Sequence, residues 1–188
     1  CAKSSAYKVA RGIFKNAGYG LTERTLDASR CGVPQKRKRF FVIGHLGECD
    51  GFLDQNLDER LLAEPLTIRA YMGDELDIEH YYRHPRNYNR RGVFSIDEPA
   101  PTVRGVNRPV PKGYPGHHGD TSTVTNSLRP LTTLERARIQ TFPPGFVFTG
   151  TKTSVEQMIG NAVPIELAAF VGGLISMREV KEEKSNAA

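Results

Sequence analysis

From residue 6 onward, apolar side chains recur three and four positions apart. Ala6, Val9, Ala10, Ile13 and Phe14 would share one face of a helix; Ser4 or Ser5 can cap its start, and Gly18 stands where a left-handed residue would end it. Residues 19–26 alternate as a strand does, and residues 27–35 form a loop closed by Gly32, Val33 and Pro34. Residues 39–46 are a short, almost continuous apolar run, the pattern of a strand buried on both faces. Helix, strand, loop and buried strand in succession predict an α/β fold rather than a bundle or a sandwich.

The centre of the chain is less regular. Helices are expected at residues 54–64 and 67–72. Residues 81–129 carry six prolines, with Gly92, Gly105, Gly113, Gly116 and Gly119 among them. A loop-rich stretch of that length between ordered segments is usually a binding element. Order returns at Pro130: Thr132 or Thr133 can cap a helix running to Gln140, which Pro143, Pro144 and Gly145 end. A second helix is expected over residues 154–159. Pro164 then occupies the first turn of a long helix with Leu167, Phe170, Val171, Leu174 and Ile175 on one face. Inside it, Gly172 and Gly173 each cost about 1 kcal/mol relative to alanine, which predicts close packing there. The tail from Lys181 is charged and expected to fray.

Composition adds bounds. With 38% hydrophobic and 25% charged residues, 188 residues suffice for one domain with a real core. No stretch approaches the roughly 20 continuous apolar residues of a bilayer span, so no membrane partner is expected. Cys1, Cys31 and Cys49 form no C-x-x-C pair, and no histidine is spaced to complete a zinc site. Neither a disulfide scaffold nor a metal site is expected, and a reducing cytoplasm suits the chain. It opens on Cys1 rather than Met, so a fragment or processed piece stays open.

Charge changes the picture more. The overall +5 divides into +8 over residues 1–45, −8 over 46–80, +5 over 81–129 and zero beyond. Such blocks suit a polyanion-facing surface beside an acidic insert, or simply two solvated faces of opposite sign.

Three stretches could carry chemistry: residues 31–41, with Gln35, Arg37 and Arg39; residues 129–143; and residues 157–164, with Gly160 to Pro164. Singly, each has a plain reading as a basic strand edge, a capped helix and a helix–turn–helix. In this order they resemble the C-terminal part of the DNA cytosine-5 methyltransferases. The matches are that family's Gln-x-Arg-x-Arg motif at Gln35, Arg37 and Arg39; its next motif at Arg129, Leu131, Thr132, Glu135, Arg138, Gln140, Phe142 and Pro143; and its Gly-Asn-Ala-Val-Pro motif at Gly160 to Pro164. Residues 98–103 look like the threonine-containing element of the family's recognition region.

The resemblance implies an α/β fold: the C-terminal part of a Rossmann-like S-adenosylmethionine-dependent methyltransferase domain, with a small irregular target-recognition domain inserted. Residues 1–44 and 145–188 would belong to the catalytic domain, and residues 45–144, including the helix at 132–140, to the recognition domain. The family's nucleophile is a cysteine after proline; no cysteine here follows one, and the family's glycine-rich loop and Glu-Asn-Val motif are also absent. The implied partners are double-stranded DNA and a complementary N-terminal half, in a prokaryotic cytoplasm, with this chain alone inactive.

Position 5 of cytosine reacts only after a thiolate adds at the neighbouring ring carbon, on a base already out of the stack. Charge then develops on the ring and is relieved at N3 and O2, where a guanidinium suits better than an ammonium. By resemblance, Arg39 makes the O2 contact, Arg37 positions the nucleophile or an adjacent phosphate, and Gln35 supports them. Asn161, Ala162 and Val163 would lie beside the methyl donor. Arg83, Arg86, Arg90, Arg91, Thr102, Arg104, Arg108 and Lys112 would meet phosphates or base edges, with Tyr81, Tyr82 and Tyr88 interleaved. The rival reading is a DNA-binding homologue without catalysis, which would not need Arg37 and Arg39 as a pair.

Overall fold

The structure, a computed structural model, describes residues 4–186, with side chains through Arg178; Cys1 lies outside the described residues. Helix α1 (Ser5–Asn16) starts at Ser4, whose hydroxyl accepts the Tyr7 amide at 3.2 Å, and stops before Gly18, at φ +85°. Its expected apolar face is not in a core: no α1 residue is buried, and Val9 and Ile13 are each 64% exposed. Ion pairs hold the helix instead. Arg11 donates to Glu23 at 2.8 Å and to Asp50 at 3.1 Å; Lys15 donates to Asp50 at 2.7 Å, and Asp50 also accepts the Leu21 amide at 2.9 Å.

Strands β1 (Tyr19–Asp27) and β3 (Lys38–Leu46) form an antiparallel hairpin, with the short β2 (Gln35–Lys36) in the connection between them. The expectation that residues 39–46 are buried on both faces does not hold. No β3 residue is buried, because β3 pairs with β1 alone and only one face of that pair, bearing Phe41 and Ile43, meets a core. Next come α2 (Asp54–Arg60), α3 (Ile68–Met72), β4 (His80–Tyr82), β5 (Val93–Ser95), β6 (Ala100–Pro101), α4 (Thr133–Ile139), α5 (Lys152–Asn161) and α6 (Ile165–Asn186). Strands β4 and β5 pair antiparallel, whereas β2 and β6 pair parallel, Gln35 opposite Ala100.

Two apolar clusters organise these elements. One joins Leu26, Ala28, Cys31 and Val33 to Leu53 and Leu57 of the α2 region and to Leu167, Val171 and Leu174 of α6. The other gathers Ile68, Met72, Tyr81, Phe94, Ile96, Leu131 and Ile139 with Val155 and Ile159 of α5. Membership passes from one cluster to the other between α2 and α3 and between α5 and α6. Leu53 and Leu57 lie one helical turn apart and bury against the hairpin despite the acidic sequence around them.

Helix α6 buries Leu167, Val171 and Leu174 as the spacing predicts, while Ile175 stays 36% exposed. The expected close packing at its glycines is not found. A Cβ on Gly172 would meet nothing within 4 Å, and one on Gly173 would meet only the end of Arg60 at 3.5 Å. Residues 152–178 are long and apolar enough to cross a membrane by composition. They fold as two helices broken after Asn161, with Glu156 buried in the first and three apolar residues of the second in a core.

Candidate functional site

The motif residues converge on one buried knot. Gln35 is fully buried; its Nε2 donates to Gln140 Oε1 at 2.9 Å and its Oε1 accepts the Val103 amide at 3.0 Å. Gln140 Nε2 also donates to the Ile159 carbonyl and, at 3.5 Å, to that of Ala162. Arg37, 6% exposed, donates to the Val103 carbonyl at 3.5 Å and to that of Gly160 at 3.3 Å. Burial, and then the neighbouring Arg39, push its pKa below the usual guanidinium value. Gly160 is a requirement of this packing: a Cβ there would stand 2.2 Å from the Gly105 amide nitrogen.

Arg39 differs from its two motif partners. It is exposed on β3, and its guanidinium donates to the Lys38 carbonyl at 2.8 Å, with no carboxylate beside it among the described residues. Asn161 ends α5 with an exposed side chain that makes no hydrogen bond among the described residues, and Val163 is 57% exposed. The structure thus leaves Arg39, Asn161 and Val163 open to a ligand and engages Gln35, Arg37 and the Ala162 carbonyl internally. Cys31 is buried beside Asp27, and burial lifts its thiol to about 11, unsuited to a nucleophile at neutral pH.

The motif at residues 129–143 is a framework. Arg129 grips both oxygens of Glu135 at 2.8 Å, and Glu135 accepts the Thr132 amide at 2.7 Å while Thr132 accepts that of Glu135 at 3.2 Å, a complete capping box. Burial works to raise the Glu135 pKa, but Arg129 and the Thr132 amide outweigh it and the net shift is downward. Arg138 reaches Glu75 at 3.1 Å and the Phe142 carbonyl at 3.1 Å. Two features escaped the sequence reading. Thr141 adopts φ +61°, strained for a β-branched residue, and its hydroxyl accepts the Glu166 amide at 2.9 Å in the first turn of α6. Arg136 and Glu156 form a buried ion pair between α4 and α5, joined by Thr133 at 2.7 Å from Glu156. The two residues lie 20 positions apart, so no local spacing signals the pair.

The arginines named for DNA contact fall into two groups. Arg83, Arg86, Arg104 and Arg108 line one cavity of about 310 Å³. Arg83 donates to the Thr102 carbonyl at 2.8 Å, Thr102 donates to the Lys36 carbonyl at 2.9 Å, and Arg104 donates to the His84 carbonyl. Arg90, Arg91 and Lys112 lie outside the cavity lining, and Arg91 pairs with Glu98 and lies 4.2 Å over the Phe94 ring.

A family model of C-5 cytosine-specific DNA methylases matches residues 3–176. The chain belongs to that family. Among its relatives, the type II methyltransferase M.HindV of Haemophilus influenzae is 59% identical over 163 residues, covering 86% of this chain and 54% of that protein. M.HgiDI of Herpetosiphon aurantiacus is 52% identical over 168 residues, covering 89% and 54%. The chain spans about half the length of these curated relatives. Its fold is similar to that of the S. pombe Dnmt2 methyltransferase crystal structure, with a TM-score of 0.61 at 19% identity, over 92% of this chain and 63% of that one.

Proposed function

We propose that this methylase chain is the target-recognition and domain-completing half of a DNA (cytosine-5-)-methyltransferase. It would act on a flipped cytosine in duplex DNA, together with an N-terminal half that brings the nucleophilic cysteine. The observation that carries the reading is the contrast within one motif: Gln35 and Arg37 are buried and engaged, while Arg39, two residues on, presents an uncompensated guanidinium on the surface. A purely structural strand edge has no need of that asymmetry.

In this reading Arg39 donates to cytosine O2 as charge develops on the ring, in a site that closure against the other half would dry. Arg37 is a positioning residue: by gripping the carbonyls of Val103 and Gly160 it fixes the β2–β3 connection against the recognition loops. Gln35 locks the same junction. S-adenosylmethionine supplies the methyl group when bound. Asn161, with an amide free to donate and accept, and the exposed apolar Val163 fit one wall of its site, with Ala162 between them held through its carbonyl. The cavity arginines face DNA. Bacterial relatives make a prokaryotic cytoplasm the expected setting.

The test is Arg39→Ala in the assembled enzyme. Methyl transfer should fall by about 10²–10³, the scale of one lost oxyanion donor, with a much smaller loss of DNA affinity. Equal losses would make Arg39 a phosphate contact. Absence of transfer by the unaltered assembly would favour a DNA-binding homologue without catalysis.

A further inference from the structure

The cavity between β4, β6 and the loop that follows β6 gathers positive charge that, among the described residues, only Glu156 offsets. Its lining includes Arg83 and Arg86 from the segment after β4, Arg104 and Arg108 from the loop after β6, and Arg136 from α4. Glu156 is the carboxylate paired to this group, and it is engaged by Arg136. Arg83 and Arg104 are fixed by carbonyls at their guanidinium ends, whereas Arg86 and Arg108 are exposed and have no hydrogen bond or ion pair among the described residues. Tyr81, 2% exposed, adds a buried hydroxyl without a hydrogen-bond partner to the same wall.

Like charges gathered in a recess repel, and burial adds to the cost of each. Burial first, and then Arg104, push Arg83 down to about 10, while Arg104 is lowered by burial and then by Arg86 and Arg108. An anion seated among them would relieve that repulsion. A guanine edge presents neutral acceptors and would leave several charges unopposed; a phosphate carries a full charge and oxygens for a planar guanidinium fork.

We propose that this cavity is a seat for a single phosphate group, a backbone phosphodiester of the bound duplex, held between Arg86 and Arg108 with Arg83 and Arg104 as its fixed wall. The inference rests on the DNA reading above and adds to it one fixed anchor, which would set the register of the recognition loops on the duplex. Because one phosphate is shared by two free arginines, their effects should not add.

The experiment measures duplex binding by this chain over a salt series, for the unaltered chain, Arg86→Gln, Arg108→Gln and the double variant. Arg60→Gln, on the acidic α2, controls for net charge. The slope of log affinity against log salt should fall by about 0.9 in the double variant, one phosphate's worth, and not at all in Arg60→Gln. Inorganic phosphate should compete with duplex for the unaltered chain beyond chloride at matched ionic strength, and not for the double variant. If the chain binds duplex and the double variant keeps its slope, the seat is refuted and the DNA reading stands. A fall of about 1.8 would mean two independent contacts and also refute it. Binding of inorganic phosphate without binding of duplex would overturn the backbone source and the DNA reading together.

Discussion

Gln35 and Gln140, 105 positions apart in the chain, share a buried amide–amide hydrogen bond of 2.9 Å. Gln35 belongs to the connection between the hairpin strands and Gln140 to the end of α4, so this one bond ties the part of the protein around α6 to the part around α5. Both amides have further partners: the Val103 amide on one side, the Ile159 and Ala162 carbonyls on the other. Buried, with both amide oxygens and both amide nitrogens engaged, the pair defines a junction that tolerates little displacement.

Gln35→Leu should therefore lower stability by about 2–6 kcal/mol, since the Val103 amide and a Gln140 oxygen lose their partner at about 1–3 kcal/mol each. Gln140→Leu should cost a similar amount, and the double variant less than the sum. Urea midpoints at constant m supply the values; additive losses would show the two amides to be independent.

The buried Arg136–Glu156 pair makes a different prediction. Arg136→Met or Glu156→Leu alone strands a buried charge and should cost about 3–5 kcal/mol. The double replacement should recover much of that loss, because no unpaired charge remains. A double variant as unstable as the worse single variant would mean that the bond from Arg136 to the Arg104 carbonyl matters more than the ion pair.

Two glycines should respond oppositely to alanine. Gly160→Ala drives a Cβ to 2.2 Å from the Gly105 nitrogen, backbone that cannot step aside, and should cost at least the 1–3 kcal/mol typical of overpacking. Gly172→Ala meets open space inside α6 and should stabilise by about 0.5–1 kcal/mol. Thermal midpoints of the two variants should move in opposite directions; a destabilising Gly172→Ala would reveal a surface packed on that face.

Alkaline pH should weaken the fold through Cys31. Burial, and then Asp27, raise its thiol from an ordinary value of 9.0 to about 11, so the unfolded chain releases this proton first. The stability that the neutral buried thiol contributes is present below about pH 9 and is lost as pH rises toward 11. Urea midpoints across that window should fall, and fall less in Cys31→Ala. Under native conditions iodoacetamide should label the exposed Cys49 well before Cys31.

Local signals were legible wherever the chain makes its own contacts. Caps at Ser4 or Ser5 for α1 and at Thr132 or Thr133 for α4, and the spacing of Leu167, Val171 and Leu174, all read from neighbours within four residues; the structure caps α1 with Ser4 and α4 with Thr132 and buries the three apolar side chains. The three ordered motifs placed the chain in its family. The apolar faces at Val9 and Ile13, and along β3, read correctly as amphipathic or apolar. Their burial did not follow, because burial needs a partner surface that no local pattern encodes.

What the sequence determined by itself is the main helices, the two long hairpin strands and the charge pattern, since helical period, caps and charge are properties of near neighbours; the short strands β2, β4, β5 and β6 depend on partners distant in the chain and were not legible. What only the tertiary structure decided is the division of labour among identical side chains. Arg37 is buried on two carbonyls while Arg39 is exposed; Arg136 is neutralised by Glu156 while Arg86 and Arg108, beside a cavity, have no ion pair among the described residues. Those distinctions depend on which distant segments arrive at each guanidinium. Val103, Gly160 and Glu156 reach theirs through packing across 20 to 123 positions of chain, a range over which sequence spacing carries no geometry.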